Sequence, residues 1–147
     1  MTLTEIKDIA AIVGPIFTFF AVVWAAYVYN KNSRLERAKW LASLYEKFYE
    51  KDHLKAIRDK LDCDDDVSLE IPKLISEGSA KFSDYLNFFE FVAFLKNSKQ
   101  LKYQEVEQLF GYYLSCLNRR QDVRQYVSEK GYELLNELLK EFAEKKK

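Results

Sequence analysis

The hydrophobic pattern changes character once along the chain. From Ile9 to Tyr29 no residue is charged, and apolar side chains fall on every side of a helix drawn through them. From residue 33 onward, apolar positions recur every three or four residues with charges between them. That is the period of amphipathic helices. Ala38, Leu41, Leu44, Tyr45 and Phe48 draw one face over residues 33–49. Asp52 is placed to cap a short helix over 53–61. IPKLISEG, residues 71–78, predicts one or two turns ended by Gly78. DYLNFFEFVAFLKN, residues 84–97, is apolar almost all round, which marks a core helix. Residues 103–118 are amphipathic through Val106, Leu109, Phe110, Tyr113 and Leu117. A short piece over 122–127 precedes a last helix over 132–143, with Leu135, Leu138, Leu139 and Phe142 on one side. No segment alternates with the period of a strand. The pattern predicts an all-α protein, with a transmembrane anchor in residues 1–30 and a compact domain of five to six helices in residues 31–147.

As a helix, Ile9–Tyr29 is about 31 Å long, enough to cross a hydrocarbon core. A cleaved signal peptide would start with positive charge and carry a shorter apolar run. Here the start, MTLTEIKD, is slightly acidic. Trp24, Tyr27 and Tyr29 close the run, and Lys31, Arg34, Arg37 and Lys39 follow. Interfacial aromatics and cytoplasmic cations are arranged this way, so the N-terminus is expected outside and the helical domain in the cytoplasm. Ala10, Gly14, Thr18, Ala21 and Ala25 form a stripe of small residues. Such stripes let membrane helices approach closely, so a homo-oligomer is expected. The span holds no ionisable residue, so one copy is neither a proton relay nor a pore.

Charge sharpens this picture. The 147 residues carry 23 Lys/Arg and 23 Asp/Glu, with no net charge. Yet residues 31–60 hold nine cations against five acids, and residues 61–78 six acids against one lysine. Two cysteines and one histidine cannot build a four-ligand zinc site from one chain. DCDDD, residues 62–66, invites comparison with a calcium loop. Val67 then stands at the turn glycine and Lys73 at the closing glutamate, so a solvated acidic loop is the better reading. No serine lies in a G-x-S-x-G setting and the glycines form no phosphate loop. Neither catalysis, a metal nor a cofactor is expected.

Two basic clusters are candidate ligand-binding sites. With Leu41 set at zero, Arg34 falls at about 20° and Arg37 at about −40°, above the apolar face, whereas Lys39 falls opposite. Arginine suits bidentate recognition of phosphate or carboxylate. The alternative is that both reach lipid phosphates or the acidic loop. Trp40 on the flank offers a stacking surface. The second cluster is Asn118, Arg119 and Arg120, with Arg124 beyond; compensation of a helix dipole is its plain alternative. Within residues 84–97, the polar Asp84, Asn87 and Glu90 lie three apart. A buried carboxylate needs a cation. Arg58, on the face that carries Leu54 and Leu61, is the candidate partner of Glu90, unless that stripe faces solvent.

RLERAKWLASLYEKFYEKDHLKAIRDKLD (34–62), DYLNFFEFVAFL (84–95) and EVEQLFGYYLSCL (105–117), followed by VRQYVSEKGYELL, resemble a bacterial family of unknown function. That family has one N-terminal membrane helix and a compact helical domain. Its most specific part here is L-N-F-F-E with Phe110-Gly111 downstream. The group is similar to a small membrane effector of type III CRISPR defence. The resemblance implies an antiviral protein of the inner membrane that binds cyclic tetra-adenylate and acts on the membrane as an oligomer. It transfers no binding residues. A cyclic oligonucleotide needs arginine for its phosphates, and aromatic or amide side chains for its bases. A fourfold ligand is best met by four copies around one axis, so a tetramer is expected, with no DNA partner. The competing reading is a membrane-tethered adaptor for a protein partner.

Overall fold

The computed structural model describes residues 3–62 and 70–145, with side chains described for 17–61 and 70–145. Among the described residues there are seven α-helices and no strand. They are α1 (Leu3–Glu50), α2 (Asp52–Asp62), α3 (Glu70–Ser76), α4 (Ala80–Asn97), α5 (Tyr103–Arg119), α6 (Gln121–Glu129) and α7 (Glu133–Lys145). The chain divides into two compact units, residues 1–44 and residues 45–147. The second unit begins at Tyr45, later than the expected border at residue 31.

The first unit is helix alone. Every described residue from Phe17 to Trp40 is exposed. Among the described residues no helix is long and apolar enough to cross a membrane. The expected span starts at Ile9, and its part up to Ile16, with Ala10 and Gly14 of the small stripe, lies outside the described side chains.

The second unit is built around the last turns of α1. Phe48 is fully buried. Its ring lies 5.0 Å from Phe88, 5.1 Å from Tyr113, 5.3 Å from Phe110 and 5.5 Å from Phe89. Edge-to-face and offset rings at such distances add attraction beyond the area they bury. α4 is the central helix, as its apolar pattern predicts. It buries Phe82, Tyr85, Leu86, Phe89, Val92, Ala93 and Leu95. α5 approaches α7 closely where Gly111 faces Phe142: a Cβ at position 111 would stand 3.3 Å from the Phe142 ring. α3 stops at Gly78, as expected. Gly78 has a φ of 63°, and the bonds Ser79 N to Leu74 O and Gly78 N to Ile75 O close a Schellman turn. The acidic loop's Cys63–Asp66 lies outside the described residues. Asp52 is the first residue of α2 rather than its cap; Lys51 contributes the carbonyl that accepts from Leu54 and Lys55.

The expected ion pair of Arg58 with Glu90 does not form. Arg58 is buried, as its position beside Leu54 and Leu61 predicts, but it caps the end of α1. Its guanidinium donates to Phe48 O at 2.5 Å and Tyr49 O at 3.0 Å, and lies 4.9 Å and 4.5 Å from the two ring centres. Those carbonyls would otherwise accept from the next turn of α1, so the arginine substitutes for a continuing helix. Glu90 instead caps the start of α7. Its oxygens accept from Leu134 N at 3.2 Å and Leu135 N at 2.7 Å. Both side chains neutralise helix ends, cation at a C-terminus and anion at an N-terminus. A helix end can satisfy a buried charge without an opposite side chain, which residue spacing does not disclose.

Candidate functional site

The first basic cluster is not on a buried face. Arg34, Arg37 and Trp40 lie in the first unit and are exposed, as is Ala38. The buried face starts only at Leu44. Angular projection puts the arginines in line with that face but cannot say where along the helix covering begins. Lys39 pairs with Glu36 at 2.9 Å on the helix surface.

The second cluster borders a groove of about 460 Å³ in the second unit. Three elements make it. α5 contributes Asn118 from its last turn. α6 contributes Gln121, Arg124 and Gln125 from its first two turns. α7 contributes Asn136, Leu139, Lys140 and Ala143, which fall on one face by their spacing of three, one and three. Leu139 is buried and forms an apolar floor together with Ala143. The rim is polar throughout: four amides and two cations.

The cations matter most. Some cations of this unit are engaged in ion pairs, Lys60 with Glu70, Lys96 and Lys145 with Glu141, Arg120 with Asp122, whereas others on its surface, such as Lys81 and Lys99, form none among the described residues. Arg124 and Lys140 form no ion pair among the described residues. They stand beside the same groove with amides between them. Such a rim offers N–H donors and positive charge to an anion, and the amides offer paired donor and acceptor groups to a planar polar edge.

The predicted residues are thus split. Asn118 lines the groove. Arg120 is committed to Asp122, with Nε 3.3 Å from Oδ1 and Nη2 3.2 Å from Oδ2. Arg119 donates from Nη2 to Cys116 Sγ at 3.3 Å. Arg124, noted only as an outlier of the cluster, takes the position expected of its neighbours. Lys140, Asn136 and Gln121 were missed. Their signal was faint: Asn136 and Lys140 are four apart on α7, at the margin of its apolar stripe. Among the described residues no group of three His, Cys, Asp or Glu side chains is placed to hold a metal ion.

One buried polar atom has no partner among the described residues: the hydroxyl of Tyr85, beside the Arg58 clamp. Burial pushes its pKa well above the ordinary tyrosine value, Tyr113 and Cys116 add to this, and Arg58 opposes it. This site is closed and lies in the core; the groove is open. No family model, curated protein or solved structure matches the chain, so the functional reading rests on its own residues.

Proposed function

We propose that this chain is a membrane-anchored binding protein whose helical unit receives an anionic nucleotide ligand, of the cyclic oligoadenylate type, in the groove between α5, α6 and α7. The observation that carries this reading is the pair of unpaired cations, Arg124 and Lys140, on an amide-lined groove with an apolar floor. Phosphate suits the cations, a base edge suits the amides, and a base face suits Leu139 and Ala143. The anchor is supported by the exposure of Phe17, Phe19, Phe20, Val22, Val23 and Trp24, all at least half accessible. So much exposed aromatic surface on one helix calls for an apolar surrounding. Tyr27, Tyr29 and the four cations after them suit the lipid interface. Arg34 and Arg37 then serve the headgroups, and the ligand role passes to the groove.

Calorimetry on the full chain in detergent micelles tests this, with cyclic tetra-adenylate as the probe and inorganic phosphate as the control. Saturable binding is expected, weakened tenfold or more in Arg124→Ala with Lys140→Ala and unchanged in Arg34→Ala with Arg37→Ala. No heat at tens of micromolar protein and ligand would sink the nucleotide reading. Alkaline extraction of membranes tests the anchor: release of the chain into the supernatant would refute it.

A further inference from the structure

We infer that α1 carries a binding site for one anionic phospholipid, its phosphate held by Lys31 and Arg34 and its acyl chains along the uncharged run before them. The inference rests on the reading of α1 as a membrane anchor and adds a specific lipid to it.

The site is an open recess of about 470 Å³ on α1, lined by Tyr27, Asn30, Lys31, Arg34 and Leu35. Steps of three, one, three and one keep these five on one side of a helix. By helical rise, Tyr27 to Arg34 is about 10 Å. The headgroup layer on one side of a bilayer is about 5–8 Å deep, so the recess is long enough to reach across it.

The groups in the recess suit the parts of such a lipid. Lys31 offers an ammonium and Arg34 a forked guanidinium, both to phosphate, and Asn30 offers an amide to ester or headgroup oxygens. Tyr27 and Leu35, 60% and 51% exposed, bound the recess with apolar surface. The ring of Trp24 lies 6.1 Å from that of Tyr27 and continues toward the uncharged run. A free phosphate uses the cations alone, whereas a phospholipid also uses the Tyr27 and Trp24 rings, as interfacial aromatics are used.

The other charges nearby single out this pair. No acid lies between Ile9 and Leu35, so nothing in that stretch opposes an anion. Lys31 and Arg34 are exposed and have no hydrogen-bond or ion-pair partner among the described residues. Lys39 is paired with Glu36 at 2.9 Å, and Arg37 has an interaction of its own. Neither lines the recess. Diffuse attraction to an anionic surface is worth about 1 kcal/mol per cation and treats all four alike. A built recess does not, and that difference can be measured.

Native mass spectrometry of the full chain, released from detergent micelles, tests this with phosphatidylglycerol as the probe and zwitterionic phosphatidylcholine as the control. One phosphatidylglycerol should be retained per chain, with tenfold or greater preference over phosphatidylcholine. Lys31→Gln with Arg34→Gln should abolish that preference. Arg37→Gln with Lys39→Gln removes the same charge and should leave the preference within twofold. All four positions are exposed, and an unchanged circular dichroism spectrum confirms the helix. Equal losses in the two double variants would overturn the inference and leave only diffuse charge. So would the absence of any preference in the parent chain. Displacement of the lipid by millimolar inorganic phosphate would overturn it too, and make the recess a free-phosphate site. Alkaline extraction from vesicles separates this inference from the anchor reading. A chain that stays but shows no preference overturns the lipid site alone, and a chain that is released overturns both.

Discussion

At the scale of single residues, the core is organised by side chains that answer to backbone. Arg58 answers the carbonyl end of α1, and Glu90 answers the amide end of α7. Arg58→Met should cost about 3 kcal/mol, because charged hydrogen bonds to buried carbonyls are lost. Glu90→Ala should cost about 1–2 kcal/mol, as the loss of a helix cap does. A double-mutant cycle by chemical denaturation should give a coupling below about 0.5 kcal/mol, since the two share no partner. Strong coupling would restore the ion pair that the sequence suggested. Tyr85 behaves in the opposite way. Its buried hydroxyl is unpaired, so Tyr85→Phe should be neutral or should stabilise by about 1 kcal/mol. Its raised pKa favours the neutral phenol in the fold. That contribution is complete below the ordinary tyrosine value of 10.0 and is lost as pH rises toward the folded pKa. Denaturation of the variant should therefore show less loss of stability above pH 10 than the parent chain.

At the scale of elements, α7 is held at both ends by charge. Glu90 takes its first amides, and near its end Glu141 takes Lys96 and Lys145, the latter at 2.8 Å. The Lys145 amine also lies 3.5 Å from the centre of the Tyr103 ring. Hydrogen bonds from Lys145 and then Lys96 hold the Glu141 carboxyl below its ordinary value of 4.5. A lowered carboxyl pKa contributes stability above the unfolded value and loses it as pH falls through the folded one. Stability should thus decline below about pH 4.5, and Glu141→Gln should flatten that decline in denaturation series from pH 6 to pH 3. Because α7 is one wall of the groove, fixing its ends also fixes Asn136 and Lys140 relative to α6. Most helices were legible in the pattern to within a few residues, α5 above all, expected over 103–118 and found at Tyr103–Arg119, because periodicity reports burial directly. α4 begins earlier, at Ala80, since Ser79 and the glycine turn before it set its start.

At the scale of the whole molecule, the division at Leu44 and Tyr45 changes what counts as the folded unit. Phe48 belongs to the core of the second unit, touching rings from α4 and α5. A chain of residues 45–147 should therefore fold with a cooperative thermal transition, whereas residues 51–147 should lose it. Circular dichroism melts distinguish the two. A cooperative melt in the shorter chain would show that the aromatic cluster is dispensable. Removing a buried phenylalanine alone typically costs about 3–5 kcal/mol, a large fraction of the stability of a small domain. The candidate site belongs to this unit entirely, since its groove is lined from Asn118 to Ala143.

What the sequence determined by itself is periodicity and composition: an all-helical chain, its helix order, a core helix at α4, and a buried Arg58. These follow because the spacing of apolar residues along one helix is a local property. Tertiary structure decided which charges meet. Arg58 is buried as expected, while Glu90 is only half-buried on a stripe whose Asp84 and Asn87 face solvent, and each pairs with a helix end brought to it by packing. Arg119 and Arg120 look like one cluster with Asn118, but only Asn118 enters the groove. Arg124, four residues on, joins Lys140 from a different helix. Residues distant along the chain become one site only through the packing of α5, α6 and α7, and no spacing within a single helix records that.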